Sequence, residues 1–312
     1  MRRCKMEKQR ILWMDIAKAL GILIVLIVHG GISLGPVTFL GGMFYMPVFF
    51  VLAGMTFTWK EEEGFGTFVK KKARRLLVPY FGYNLFLFLF FFIKDSLLAG
   101  RVSSESVFPL VGILYSRNCL FEMDAVHNLY FMQILNAPTW FLTGLFVSLI
   151  IFWGLMKLAK GELCKLYIVN GGVLLFAVLV HYFCPILLPW SIDCALYSVS
   201  FLGFGKVLKE HHLVEELYKK PLVLLLLAAA FVSLSFINGS VNMSVAEYGS
   251  SMVLYLIVGC LGSLLCLELS LLLEKHTRFV SKACVWLGRH TVPVLCLHLF
   301  VYSVVGKLLG ML

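Results

Sequence analysis

The sequence predicts an all-α membrane protein, a polytopic bundle of nine to ten transmembrane helices. Three observations predict it. Of the 312 residues, 60% are hydrophobic and only 14% charged, where a soluble domain carries roughly 25% charge. Apolar runs long enough to cross a hydrocarbon core, about 20 residues each, recur along the chain. The lysines and arginines fall in alternate connections between those runs, as cytoplasmic loops require.

The runs lie near 11–33, 39–58, 76–98, 140–158, 166–183, 193–208, 221–237, 249–273 and 290–311. The first begins after a basic start, is long, and is followed by no small-residue cleavage pattern, so it reads as a retained signal anchor. The second holds "FYMPVFFVLAGMTF", and the third follows the basic stretch "KKARRLLVPYF". A long outer loop, 99–139, separates the third from the fourth. Within it the apolar stretch Val107 to Leu120 leaves room for a tenth span or a re-entrant helix.

With residues 1–10 cytoplasmic, the inner connections hold 22 of the 27 lysines and arginines. The expectation is a single membrane domain over 1–312, in the plasma (inner) membrane, with its N-terminus inside. The net charge of +10 is then a topology signal beside an anionic leaflet, and no nucleic-acid partner is implied. The nine cysteines include no CxxC pair, which points to neither a disulfide framework nor a zinc site. Glu122, Asp124 and His127 in the outer loop match no metal-ligand spacing, so no metal is expected.

Ionisable groups inside a span cost about 2.5–3.5 kcal/mol each on insertion scales and normally face the bundle interior. The first span, "DIAKALGILIVLIVHG", carries three: Asp15, Lys18 and His29. At about 100° per residue they share one face within about 60°, and Lys18 and His29 are about 16 Å apart along the axis. A pore or tunnel with polar groups at both ends has this layout. Asp15 and Lys18 at i, i+3 also suit a local ion pair with the lysine reaching for the interface. A histidine facing a tunnel suits acyl transfer, proton-coupled transport or a relay. Lys70, Lys71, Lys72, Arg74 and Arg75 abut the third span. Such a cluster serves as a topology stop or headgroup anchor, or binds a polyphosphate ligand such as coenzyme A.

Taken together, these segments resemble the acyltransferase-3 family of integral membrane acyltransferases, in particular its fucose 4-O-acetylase-like branch and the membrane portion of the serine racemases linked to vancomycin resistance. The first span matches the family's opening aspartate and its pattern of a basic residue, ten residues and a histidine, here Lys18 and His29. "FYMPVFFVLAGMTF" resembles the family's second segment, with Tyr45 where histidine is usual and Ala53 where serine is usual. "KKARRLLVPYF" resembles its basic motif, with Lys72 and Arg75 at the matching spacing and Arg74 between them. "APTWFLTGLF", "LPWSIDCALYSVSFLGFGKVLKE" and "WLGRHTVPVLCLHLF" supply Trp140, Trp190, Asp193 and His298.

The resemblance implies an O-acyltransferase that takes its acyl group, usually acetyl, from cytosolic acetyl-CoA or another acyl-CoA. The acceptor is a hydroxyl of a cell-envelope carbohydrate or similar molecule. His29 is then the general base and Asp15, or another buried polar group, orients the machinery. Lys18, Lys72, Arg74 and Arg75 hold the coenzyme, and Tyr45, Trp140, Asp193 and His298 contact the acceptor. The alternative is a transporter of a small polar solute such as an amino acid, motivated by the intramembrane histidine and by suspected uptake in the racemase-linked relatives.

Overall fold

The computed structural model describes residues 11–99, 107–117, 119–123, 129–134, 136–184 and 186–310. Thirteen α-helices are found among them. They are α1 (Leu12–His29), α2 (Pro36–Phe44), α3 (Pro47–Met55), α4 (Phe65–Ala99), α5 (Pro109–Tyr115), α6 (Trp140–Leu158) and α7 (Leu163–Phe183). There follow α8 (Ile192–Glu210), α9 (Leu213–Leu217), α10 (Pro221–Asn238), α11 (Met252–His276), α12 (Arg278–Arg289) and α13 (Thr291–Leu308). Nine helical stretches among the described residues are long and apolar enough to cross a membrane: α1, α2 with α3, α4, α6, α7, α8, α10, α11 and α13. The protein is a multi-pass, all-α membrane protein, and the only strands among the described residues are β1 (Cys119–Met123) and β2 (Leu129–Ile134), an antiparallel hairpin between α5 and α6.

The second span is broken because Pro47 has no backbone N–H to continue the ladder and its ring crowds the preceding turn. Tyr45 and Met46 therefore sit at the joint between α2 and α3. The 35 residues of α4 extend about 52 Å, far more than a hydrocarbon core of about 30 Å. The basic stretch expected as a loop is accordingly the first turns of this helix. The apolar stretch from Val107 folds instead as α5, whose seven residues reach about 10 Å and cannot cross.

Hydrogen bonds fasten α5 to the bundle. Tyr80 Oη donates to the Ile113 carbonyl at 2.7 Å, Tyr115 Oη to that of Leu187 at 2.6 Å, and Trp190 Nε1 to that of Leu114 at 2.9 Å. Burial raises the Tyr115 phenol above the ordinary tyrosine range, so it remains a neutral donor.

Helices α8, α11, α1, α6 and the broken second span are the most buried, whereas α4, α7, α10 and α13 turn large apolar side chains outward. In a bilayer those outward faces meet lipid. Close backbone approach sets the centre: a Cβ on Gly54 would land on the Leu202 carbonyl, and one on Gly205 on that of Val51. This reciprocal glycine contact lets α3 and α8 cross with their backbones nearly touching, as small residues permit between membrane helices.

Candidate functional site

His29 ends α1, where the helix has run out of backbone partners for its last carbonyls. The phenol of Tyr302, on α13, donates to the Leu26 carbonyl at 2.9 Å, beside the bond that this carbonyl accepts from the Gly30 N–H. This contact seats α13 beside the last turn of α1. One turn earlier on α13, His298 meets His29: Nδ1 of His29 lies 2.8 Å from Nε2 of His298. The ring planes differ by 12° with centroids 5.0 Å apart. An N···N distance of 2.8 Å is shorter than the roughly 3.5 Å of a face-to-face contact, so the rings meet edge to edge through an in-plane hydrogen bond.

The partners assign the protons. Nδ1 of His298 lies 2.9 Å from the Leu295 carbonyl and 3.1 Å from that of Val294. Carbonyl oxygens only accept, so this nitrogen carries the hydrogen and Nε2 of a neutral His298 is an acceptor. Nδ1 of His29 must then be the donor. Nε2 of His29 is left with its lone pair, as a base requires. His298 is 4% exposed, whereas His29 is accessible. The inner ring of the pair orients and the outer ring presents.

His29 opens on a cavity of about 250 Å³. Its walls come from five places: Val25 and Val28 of α1, Tyr45 and Met46 at the broken joint, Ala137, Pro138 and Trp140 where the chain enters α6, Leu295 of α13, and Val241, Asn242 and Ser244 between α10 and α11. Val25, Met46 and Leu295 also line a second, almost wholly apolar space of about 40 Å³, with Ile22, Phe49, Phe141 and Val292. The two spaces adjoin through those shared residues. They run along α1 from His29 toward the end of the bundle that carries Asp15.

The residues singled out in the sequence divide between the two ends. Tyr45 and Trp140 line the cavity with His29. His298 does not face the acceptor space as expected; it hydrogen-bonds His29 from behind. Asp193 is also absent from the cavity wall, because its carboxylate is paired with Arg117. Asp15 lies fourteen positions before His29, about 21 Å along the helix, and cannot touch it. It is buried, pairs with Lys18 at 3.1 Å, and has Arg289 Nε at 3.7 Å. The backbone of Gly288 rests on Asp15 where a Cβ would collide with its carbonyl, so this carboxylate ties α12 to α1. The side chain that hydrogen-bonds His29 is His298, not Asp15.

At the same end, the Lys72 ammonium lies over the rings of Phe68 and Phe57, 5.3 and 5.9 Å from their centroids, as cation–π contacts do. Arg74 and Arg75 are exposed on the first turns of α4. They have no ion-pair partner among the described residues, which leaves their guanidinium groups available to an anion. Among the described residues, no cluster of histidine, cysteine, aspartate and glutamate is arranged to hold a metal ion; Asp124 and His127 lie outside them.

Sequence reasoning missed Asn242 and Ser244. Nothing in a short polar connection distinguishes a cavity wall from a solvated loop. It also missed Arg117, counted only as an outer basic residue, and Glu268, which is buried on α11 with neither carboxylate oxygen hydrogen-bonded.

A family model described as an acyltransferase domain matches residues 11–312. No curated protein and no solved structure matches the chain.

Proposed function

The chain belongs to the acyltransferase-3 family and is a membrane acyltransferase; from that premise we propose that it moves an acyl group, acetyl in the first instance, from cytosolic acyl-CoA to a hydroxyl of a cell-envelope carbohydrate or similar acceptor. The observation that carries this reading is the His29–His298 pair beside a cavity that shares Val25, Met46 and Leu295 with a small apolar space toward the basic end. The orientation that suits it places residues 1–10 and the Arg74–Arg75 surface on the cytosolic side of the plasma membrane, as the lysine and arginine distribution indicates.

In this mechanism Arg74 and Arg75, with Lys72 beside them, hold the coenzyme's phosphates. Lys18, fixed by Asp15, lines the approach. The pantetheine arm follows the apolar passage between Ile22 and Val292, bringing the thioester to the cavity. Nε2 of His29 accepts the proton of the acceptor hydroxyl as its oxygen attacks the thioester carbonyl. The carbon–sulfur bond breaks, and the proton returns from His29 to the departing thiolate, giving the ester and free coenzyme A. While His29 is charged, its Nδ1–H bond to His298 becomes charge-assisted and strengthens. Tyr45, which lines the cavity, donates its hydroxyl to the developing oxyanion in this mechanism, a contribution often large in such sites.

The test uses membranes containing the full chain and acetyl-labelled acetyl-CoA. The expected result is label in envelope glycans, lost in His29→Ala with the protein still folded. Undiminished transfer in that variant overturns the mechanism. Mass spectrometry of envelope glycans with and without the gene then identifies the acceptor.

A further inference from the structure

Among the described residues, the side chains lining the His29 cavity include no aspartate, glutamate, lysine or arginine. The nearest built charge on that wall is turned away from it. Arg117, whose side chain is 1% exposed, pairs with Asp193 in the first turn of α8 and donates from Nη1 to the Ser244 carbonyl at 2.7 Å. One guanidinium therefore neutralises the Asp193 carboxylate and pins the 242–247 turn against the bundle.

The turn is closed on itself. Asn242 and Glu247 exchange both backbone hydrogen bonds, at 2.8 and 3.0 Å. Asn242 Oδ1 accepts from the Ser244 N–H at 3.2 Å and from Ser244 Oγ at 2.6 Å. A backbone N–H can only donate, so the amide's oxygen faces Ser244 and its Nδ2 points away. Nδ2 has no hydrogen-bond partner among the described residues, and Asn242 lines the cavity. His29, with a lone pair on Nε2, and Asn242, with a spare donor on Nδ2, thus line one space. Its volume of about 250 Å³ falls just below the range of about 300–1,000 Å³ common for small-molecule sites.

We propose that Asn242 is a specificity-determining residue that holds a second oxygen of a neutral, monosaccharide-sized polyol while His29 deprotonates the reacting hydroxyl, and that Arg117 is the positioning residue for the turn that carries it. The inference rests on the acyl-transfer reading and narrows it. Anionic sugars and zwitterionic amino acids are disfavoured, because a charge entering this space meets no counter-charge.

The experiment supplies membranes containing the full chain with labelled acetyl-CoA and, as acceptors, the methyl glycosides of glucose, galactose and mannose, methyl glucuronide, and serine. At least one neutral glycoside is expected to be acetylated, with the glucuronide and serine poorer in kcat/KM by about a hundredfold. Asn242→Leu raises KM for that glycoside about three- to tenfold, the worth of one neutral hydrogen bond, with kcat nearly constant, and Asn242→Gln recovers part of it. Arg117→Met reproduces the acceptor KM change while leaving KM for acetyl-CoA unmoved. Because Arg117→Met also removes a buried pair, its unfolding temperature is measured, and the exposed Asn242 carries the decision.

Equal use of the glucuronide or serine, or an unmoved KM in Asn242→Leu, overturns the proposal. So does acetylation of none of the neutral glycosides while coenzyme A release to water still depends on His29; in that case acyl transfer stands and only the acceptor assignment falls. Release that is independent of His29 under every condition removes the acyl-transfer reading itself.

Discussion

The two ends of α1 are built on opposite plans. At the Asp15 end charges are plentiful: Asp15 has Lys18 one turn away and Arg289 on the helix pressed against it, and Arg74 and Arg75 are exposed. At the His29 end the lining among the described residues is uncharged, and the histidine pair joins positions 269 apart. On the proposed reading, the difference teaches that charge marks where this protein meets its aqueous surroundings and its donor. Chemistry is then housed where charge has been removed and a single lone pair is aimed.

Substitutions can break or sharpen that contrast, beginning with the largest effect. His29→Ala removes the base and should lower acetyl transfer by about 10²–10⁴-fold, measured as label transferred at saturating acetyl-CoA. His298→Ala leaves His29 free to take the other tautomer or turn away, a loss of about ten- to hundredfold by analogy with other orienting partners. His298→Gln should recover much of it, because its amide oxygen accepts from Nδ1–H of His29; a glutamine variant no better than alanine would show that His298 serves packing alone.

At the other end, Arg74→Ala and Arg75→Ala should each raise KM for acetyl-CoA about two- to fivefold, the modest worth of an exposed ionic contact, with the acceptor KM constant. Their salt dependence should fall below that of the wild type, because the contact they lack is one that salt screens within about 10 Å at 0.1 M. The smallest effect is expected from Asp15→Asn. Its partners are 31% and 45% exposed at their side chains, so water compensates much of the loss. Stability should fall by about 1 kcal/mol, read as a lowered unfolding temperature with kcat unchanged. A collapse of kcat at normal stability would place Asp15 in the reaction and erase the distinction between the two ends.

Much of the Asp15 end was legible in the chain. The spacing of Asp15 and Lys18 specified their ion pair, and the basic cluster marked the start of α4 although not its helical form. His29 was legible as an intramembrane base. His298 was legible only as a residue of the last span, because its partner lies at the far end of the sequence. Its role depends on a hydrogen-bond direction that only the carbonyls of Leu295 and Val294 reveal. Tyr45 reaches the cavity because Pro47 breaks the second span, and that break was readable while its destination was not. Asp193 was misplaced because a carboxylate at a helix start does not announce that an arginine 76 positions away has claimed it.

By itself the sequence determined that this chain crosses the membrane as a helical bundle, where its charged end lies, and which histidine is exposed to the reaction space. Those properties follow from solvent transfer and from a period of 3.6 residues, both local to each helix. Only the tertiary structure decided which nitrogen of His29 keeps its lone pair, which aromatic and amide groups line the same cavity, and which charges are paired away from it. Each of those is set by the approach of segments remote in sequence, whose packing no local pattern encodes.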